Sequence, residues 1–265
     1  MVHSMKIQQI RNACVRISYC EENFLIDPWL MDKGAMGCFA DTPYHCADPS
    51  KENIPMPMCD LPLPVADILQ DVDAYIITHV HPDHIDIDPD GTVGKVLHKE
   101  TPTFVQSPED AQVLLNSGFT DVTVLYENSA FGKVNLIKTP GRHGTKIPCG
   151  PASGVIFQTQ GEKTLYVVGD SIWYDGVRDT LTRFQPEVII VNACAAALRN
   201  EGRLIMNGED VAAVHTACPK AKIVISHMDN VAHATITRKD MKQFIHTQGL
   251  EEFTVMPDDG ESLTF

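Results

Sequence analysis

Residues 78–84 read Thr-His-Val-His-Pro-Asp-His and directly follow the apolar run Ala-Tyr-Ile-Ile at 74–77. The run predicts a buried strand. His79 and His81 are two residues apart, so in extended backbone their side chains point to the same side, and the proline fixes a turn that brings Asp83 and His84 close by. Imidazole suits Zn, Fe and Mn, and a carboxylate adds charge for a second divalent ion. The segment therefore predicts a metal site at a strand end, where α/β sheets commonly build their sites.

The pattern before the motif predicts an antiparallel opening. Residues 6–11, 13–19 and 24–26 read as strands. Residues 31–66 then change character, with many Pro, Met, Cys and Gly residues and little periodicity, which predicts a long irregular insertion. Long loops in compact domains are often functional lids, so the insertion is a candidate for a mobile or oligomer-forming cover. The alternative is a loop pinned over the core.

The rest of the chain alternates helical and strand patterns, with Asn207 and Thr237 as candidate helix caps and Gly118 and Gly249 at helix ends. This alternation after an antiparallel start indicates a layered α/β fold with mixed sheets. The predicted helices are 65–70, 108–117, 208–217 and 237–248, and the predicted strands are 74–78, 103–105, 122–125, 134–138, 154–159, 165–168, 188–191, 221–226 and 253–256.

Composition excludes several classes of protein. A formal net charge of −14 without a basic stripe argues against a nucleic-acid partner. No run approaches the roughly 18 apolar residues needed to cross a bilayer, and the first residues do not form a secretory signal, so we expect a cytoplasmic protein without a membrane partner. Eight cysteines without a Cys-x-x-Cys pair predict reduced thiols. We expect a small-molecule substrate, and a homo-oligomer is compatible with the sequence.

The complete His-x-His-x-Asp-His pattern after an apolar strand resembles the hallmark of the metallo-β-lactamase superfamily. The resemblance spans nearly the whole chain. It implies a four-layer αββα sandwich of two mixed β-sheets flanked by helices, formed by one domain over residues 1–265 with the irregular insertion at about 31–66 near the active site. It also implies three further ligands, each after a predicted strand: His143, Asp170 and His227.

By the same resemblance, the site holds two divalent metal ions, with Zn or Mn expected and Fe also compatible. The implied ligand sets are His79, His81 and His143 for one ion, Asp83, His84 and His227 for the other, and Asp170 between them. A water shared by two cations loses a proton near neutral pH and becomes a nucleophile. The resemblance thus implies a metal-dependent hydrolase with Asp83 and Asp170 at its catalytic centre.

The segment Ile26-Asp27-Pro28-Trp29 is similar to the branch of the superfamily that includes ascorbate-6-phosphate lactonases. The expected substrate is a small ester-like molecule, with a lactone or a phosphorylated sugar derivative favoured. Asp27 is a candidate hydrogen-bond partner of a ligand histidine, and an ordinary turn at Asp-Pro is an equal alternative. His233 is a candidate catalytic residue that holds substrate or acts as an acid, and a polar cap before the last helix is its alternative.

Other residues near the motifs have two interpretations each. Arg142 and Lys146 are candidates to receive a phosphate or carboxylate, or belong to a solvated loop. The aromatic residues Trp29, Trp173 and Tyr174 are candidates for a pocket wall, or for core packing. Asn192 and Asn207 are candidate substrate donors, or strand-end and cap residues.

Two other function classes compete with hydrolysis. An iron-dependent oxidoreductase of the same fold keeps the same motif, so metal identity and oxygen uptake discriminate it. A non-catalytic metal-binding module is the third class, and failure of the metal-loaded protein on a broad substrate panel would favour it.

Overall fold

The protein was analysed as a computed structural model, which describes residues 4–265. The first half of the chain contains β1 (Lys6–Arg11), β2 (Cys14–Tyr19), β3 (Glu22–Ile26), α1 (Val65–Leu69), β4 (Ala74–Ile77), β5 (Thr103–Val105), α2 (Pro108–Asn116) and β6 (Val122–Val124). The second half contains β7 (Ser129–Phe131), β8 (Val134–Pro140), β9 (Ser153–Gln158), β10 (Leu165–Val167), α3 (Asp175–Phe184), β11 (Val188–Asn192), β12 (Ala197–Leu198), β13 (Gly202–Arg203), α4 (Gly208–Ala217), β14 (Lys222–Ser226), α5 (Arg238–Gln248), β15 (Thr254–Val255) and β16 (Ser262–Thr264).

Within residues 4–265, all strands except β12 and β13 form two seven-stranded mixed sheets, and β12 pairs with β13 in a separate small sheet. The first has the order β16-β1-β2-β3-β4-β5-β6, and its pairs are antiparallel up to β3 and parallel from β3 onward. The second has the order β15-β14-β11-β10-β9-β8-β7, with the parallel pairs between β15 and β10 and antiparallel pairs beyond. Each sheet therefore contains parallel strands whose carboxyl ends reach a common edge.

Side-chain alternation along the strands stacks these sheets into layers. On β4, Ala74 and Ile76 pack between the two sheets, whereas Tyr75 and Ile77 pack with residues of α1 and α2. On β11, Val188 and Ile190 enter the same inter-sheet core, and the alternate residues pack with α3, α4 and α5. The result is the expected αββα sandwich, with helices on both outer faces.

Most predicted elements are confirmed to within one or two residues. Ser107, Asn207 and Thr237 each cap a helix by accepting a hydrogen bond from a backbone N–H. The helix α3 was not predicted, because polar residues dominate it, although its buried residues Val177, Thr180 and Leu181 follow a helical spacing. The strands β7, β12, β13 and β16 were also not predicted, since each has only two or three residues.

Residues 31–64 hold two single-turn 3-10 helices, Phe39–Asp41 and Pro49–Lys51. Backbone hydrogen bonds pair residues near Gly37 with Met56, and the peptide N–H of Ala47 donates to the Ala197 carbonyl. The segment is thus folded against the second half of the chain, which agrees with a loop pinned over the core.

No disulfide joins the cysteines within residues 4–265, in agreement with reduced thiols. Across the same residues, no helix has the length and apolar character required to span a membrane.

Candidate metal centre

The seven predicted ligands follow the carboxyl ends of four strands. The motif at residues 79–84 follows β4, His143 follows β8, Asp170 follows β10 and His227 follows β14. The loops meet where the two sheets face each other, and all of these side chains except that of His81 are buried. The structure therefore brings together residues that lie up to 148 positions apart in the chain (227 minus 79).

Among the described residues, three sets of side chains place one ligand atom each within 4.8 Å of one another. Two of the sets coincide with the two metal sites that the sequence analysis expected, and the third connects them through Asp170. The sets are His79, His81 and His143; His79, His84 and Asp170; and Asp83, His84 and His227.

Asp27 orients two of the histidines. Its Oδ2 accepts hydrogen bonds from Thr78 Oγ1 at 2.7 Å and from His84 Nδ1 at 2.8 Å. Thr78 Oγ1 lies 3.1 Å from His79 Nδ1, from which it can accept a second bond. With their Nδ1 atoms engaged, both rings turn Nε2 toward the centre, the usual arrangement of a ligand histidine and its supporting carboxylate. The predicted bond between Asp27 and a motif histidine is confirmed.

His143 and Asp170 are oriented in the same manner. His143 Nδ1 donates to the Leu204 carbonyl at 3.2 Å. Asp170 Oδ1 accepts from Asn192 Nδ2 at 2.7 Å, so Asn192 acts on the carboxylate rather than as a free donor in the pocket. The other oxygen, Oδ2, lies 3.2 Å from His84 Nε2 and 3.6 Å from His143 Nε2. Asp170 thus stands between the two ligand groups.

Gly169 allows the backbone to present Asp170. Its φ is +69°, and a Cβ at this position would lie 2.6 Å from the Ser153 carbonyl oxygen. Only glycine accommodates both the left-handed conformation and this contact.

His227 is held by two neighbours outside the predicted ligand set. Its Nε2 lies 3.3 Å from Asp83 Oδ2 and 3.2 Å from Asn12 Nδ2, and its Nδ1 lies 3.5 Å from Cys194 Sγ. Asn12 Nδ2 also donates to the Asp83 carbonyl at 3.0 Å. Asn12 was not predicted from sequence, because it has no metal-ligand spacing and precedes the motif by 67 residues (79 minus 12).

The electrostatics of the cluster suit a cation. Burial lowers the pKa of His79 well below its usual value and that of His81 to about 4. Burial alone would raise the pKa of Asp170, but the facing imidazoles, His84 foremost, hold it well below the usual range. Burial likewise opposes the charge on His84, yet Asp170 and Asp27 raise its pKa to about 10. Anionic carboxylates thus hold protons on neighbouring imidazoles, and metal binding displaces such protons.

The residues present fit a divalent metal ion. His79 Nε2 is buried and has no hydrogen-bond partner among residues 4–265, although a buried polar atom normally has one. A cation bound by the sets described above would complete its coordination, since imidazole nitrogens and carboxylate oxygens are the donors that Zn and Mn accept.

A pocket of about 110 Å³ opens beside the predicted ligands. His81, Asp83, His143 and Asp170 form its floor, and most of the remaining lining is apolar. The other lining residues are Met36, Phe39, Tyr44, Pro82, Cys149, Ala196, Leu198, Leu204 and His233. Pro82 belongs to the histidine motif and His233 was a candidate catalytic residue, but the other residues of this list were not named from the sequence, because apolar residues carry no chemical signature of a site. The only available signal was the irregular stretch 31–66.

His233 lines the pocket rather than capping a helix. It is 8% exposed, its ring centroid lies 5.2 Å from that of Phe39, and its Nδ1 has no hydrogen-bond partner among the described residues. Burial lowers its pKa to about 4, so the imidazole is neutral at pH 7. Thr237 caps α5 with its own side chain.

Several other candidates lie away from the pocket lining. The Arg142 peptide N–H donates to Ser171 Oγ, and Lys146 is exposed. Trp29 is fully buried, with the Arg11 guanidinium 5.2 Å from its ring centroid. Asn207 caps α4. Trp173 and Tyr174 pack against the core beneath α3 to α5, so the packing interpretation applies to the aromatic residues.

Comparison with known proteins identifies a relative of similar length. The UPF0173 protein YddR of Bacillus subtilis (strain 168) is 39% identical over 265 residues, which covers 98% of this chain and 100% of the relative. No protein-family profile matches the chain.

Two solved structures are also similar to this chain over nearly its full length. An isothiocyanate hydrolase from Delia radicum gut bacteria has a TM-score of 0.88 and 34% identity, covering 98% of this chain and 99% of its own. A possible metal-dependent hydrolase from Veillonella parvula DSM 2008 has a TM-score of 0.89 and 35% identity, covering 99% and 100%. The names of these proteins support enzyme status and a metal-dependent hydrolytic function.

A more distant structure shows the fold alone. The metallo-β-lactamase fold protein YhfI from Bacillus subtilis is 13% identical, with a TM-score of 0.61 over 99% of this chain and 100% of its own. The comparisons do not single out the ascorbate-6-phosphate lactonase branch. On its 39% identity to YddR across nearly its whole length, this chain belongs to the UPF0173 family, and its fold is that of the metallo-β-lactamases.

Proposed function

We propose that this protein hydrolyses a small, uncharged electrophile, with isothiocyanates as the first candidate class. The observation that carries the proposal is the apolar lining of the pocket directly beside the predicted metal ligands. Phe39, Leu198 and Leu204 offer contact area to a hydrocarbon substituent but no charge to pair with an ionic one. The similarity to an isothiocyanate hydrolase across nearly the full length supports the same class.

The proposed reaction converts an isothiocyanate and water into an amine and carbonyl sulfide. The water oxygen forms a bond to the central carbon, the carbon–nitrogen bond breaks, and both water protons finish on the nitrogen. Two divalent cations, held by the ligand sets described above, would supply a water of lowered pKa and a Lewis acid for the electron-rich atoms of the substrate.

The side chains of this chain have distinct parts in that reaction. Asp83 and Asp170 remain ionised at neutral pH, because neighbouring imidazoles lower their pKa values against the effect of burial, and they would hold the cations. His233 lines the pocket, and because burial lowers its pKa to about 4, its imidazole is neutral at pH 7. A neutral imidazole can accept a proton from the attacking water and return it to the leaving nitrogen. The apolar wall excludes bulk water from the reacting atoms.

A neutral lactone is the second candidate substrate. It suits the same apolar pocket wall, and the segment from Ile26 to Trp29 resembles the lactonase branch. A phosphorylated sugar is less compatible, because the lining that the structure describes includes no Lys or Arg to receive the phosphate.

Metal identity and a substrate panel test the proposal on one sample. Protein is purified, analysed for Zn, Mn and Fe per chain, and assayed with alkyl isothiocyanates and lactones, with amine and carbonyl sulfide measured as products. Two Zn or Mn ions per chain with stoichiometric amine and carbonyl sulfide are expected. Turnover of lactones alone would transfer the proposal to the second candidate. One Fe per chain with oxygen uptake would favour an oxidoreductase, and metal-loaded protein inactive on the panel would favour a binding module.

A further inference from the structure

Arg11 is a fully buried cation bonded to backbone rather than to carboxylates. Its Nη2 donates to the carbonyls of Trp29 and Met31 at 3.1 and 2.7 Å, and its Nη1 donates to the Cys59 carbonyl at 3.0 Å. The side chain is 0% exposed, and burial lowers its pKa. A buried guanidinium loses its hydration, and its hydrogen bonds must offset that loss. The burial of Arg11 therefore does not by itself indicate that the residue stabilises the fold.

These bonds join both ends of one segment. Residues 31–59, here called the cover segment, begin at Met31 and end at Cys59, and Arg11 binds the carbonyls of both. Between these ends the segment supplies Met36, Phe39 and Tyr44 to the pocket. The planar fork of a guanidinium can hold two separated carbonyl groups in one fixed arrangement, which an ammonium group cannot do.

The cover segment in turn contacts the loop that carries His233. The Met58 peptide N–H donates to the Asn230 carbonyl at 2.9 Å, Lys51 Nζ donates to the Ala234 carbonyl at 2.8 Å, and the Phe39 ring packs edge-on against His233. The position of the segment therefore sets both the apolar wall and the packing of His233.

The neighbour of Arg11 faces the opposite way. Asn12 has a φ of +55° in the turn between β1 and β2, and its Nδ2 reaches the Asp83 carbonyl and His227 Nε2. The Asn12 carbonyl accepts from the His227 peptide N–H at 3.0 Å. One tight turn thus touches the cover segment through residue 11 and the predicted metal ligands through residue 12.

We propose that the β1–β2 turn divides two positioning tasks between adjacent residues. Arg11 holds the cover segment and so sets substrate affinity and selectivity, whereas Asn12 positions Asp83 and His227 and so sets metal affinity. The kinetic part of this inference rests on the proposed function, and the metal and conformational parts do not.

The test compares Arg11→Lys, Arg11→Met and Asn12→Gly with the parent protein. Glycine at residue 12 removes the side chain yet tolerates the positive φ. Arg16→Met, on the neighbouring strand, is the control for loss of an arginine away from the pocket lining. Each protein is measured for metal per chain under chelator competition, for amide hydrogen exchange over residues 31–59, and for kcat and KM with methyl isothiocyanate and a longer alkyl isothiocyanate.

The Arg11 variants are expected to keep parental metal affinity, to exchange faster over residues 31–59, and to show KM raised about tenfold for the longer substrate with a smaller change in kcat. Asn12→Gly is expected to lower metal affinity about tenfold or more with parental exchange over the same residues. If Arg11→Met does not fold, Arg11→Lys decides, because it keeps the charge and most of the stem.

Loss of metal affinity in Arg11→Lys, or faster exchange of residues 31–59 in Asn12→Gly, would show that the two tasks are not divided and would overturn the inference. Parental exchange and KM in both Arg11 variants would also overturn it. If the parent protein turns over no isothiocyanate, the proposed substrate class fails, while the metal and exchange measurements still decide whether the turn has these two tasks.

Discussion

Asp27 Oδ2 lies 2.8 Å from His84 Nδ1, and Asp27 directly follows β3, which pairs with the strand β4 that precedes the histidine motif. The same carboxylate accepts from the Thr78 peptide N–H at 2.7 Å and from Thr78 Oγ1 at 2.7 Å. One side chain therefore orients His84 directly and His79 through Thr78. It does so from a segment 52 residues before the motif (79 minus 27).

Replacing Asp27 with Asn is expected to weaken metal binding by about 10- to 100-fold, because an amide has one acceptor oxygen where the carboxylate has two. Metal affinity is measured by competition with a chromogenic chelator. Asp73→Asn is the matched control. Asp73 accepts hydrogen bonds from Asn23 of β3, the strand that Asp27 follows, but at the end away from the ligands. Parental metal affinity in Asp27→Asn would remove the orienting role.

His79→Ala and Asp170→Ala are each expected to lower kcat/KM by about a thousandfold or more, since the metal contributes several kcal/mol to the transition state. The fold should persist, because both side chains lie at strand ends rather than in the inter-sheet core. Elemental analysis, circular dichroism and activity are measured together, with exposed His98→Ala as the control. Parental turnover and metal content in either variant would contradict the ligand assignment.

Acid should destabilise the metal-free protein partly through His233. Its folded-state pKa of about 4 lies below the usual histidine value of 6.5, so between these values the unfolded chain binds the additional proton and stability is lost as pH falls. His233→Gln removes this titration. The difference in unfolding free energy between parent and variant should therefore change by up to about 1.4 kcal/mol per pH unit in this window. Urea unfolding at pH 7, 6 and 5 measures it; a difference independent of pH would be the contrary result.

Gly169→Ala is expected to destabilise the protein and displace Asp170, because the new Cβ would lie 2.6 Å from the Ser153 carbonyl oxygen. Gly161→Ala is a matched control, since its φ of +90° imposes similar strain but nothing lies within 4 Å. The control should cost about 1–2 kcal/mol for the left-handed backbone. Gly169→Ala should cost about 1–3 kcal/mol more for the collision. Thermal unfolding and metal content are measured for both, and equal costs would argue against the collision.

The ligands of the candidate site could be predicted from sequence, because few residue types bind metal and because each group of ligands follows an apolar strand. His143, Asp170 and His227 are placed by that rule together with the family resemblance, and the structure brings them together. Helix caps such as Asn207 could also be predicted, since a capping side chain bonds to a backbone N–H only a few residues away.

The residues of the pocket wall could not be predicted from sequence. Phe39 and Leu204 have the composition of any core residue, and only the tertiary fold places them beside His233. The strand β16 was missed because its partner β1 is more than 250 residues away, with Lys6 opposite Thr264, and short edge strands have little periodicity. Arg11 and Asn12 were missed because their partners are backbone carbonyls and distant ligands.

The two halves of the chain contribute unequal numbers of the seven predicted metal ligands. Residues before the exposed link at 126–128 supply His79, His81, Asp83 and His84, and residues after it supply His143, Asp170 and His227. Neither fragment alone contains either of the two complete ligand sets. The carboxyl-terminal fragment also carries β16, which adds to the edge of the sheet built by the amino-terminal fragment. A chain cut at this link would thus be a split protein whose high-affinity metal uptake reports the noncovalent reassociation of its halves.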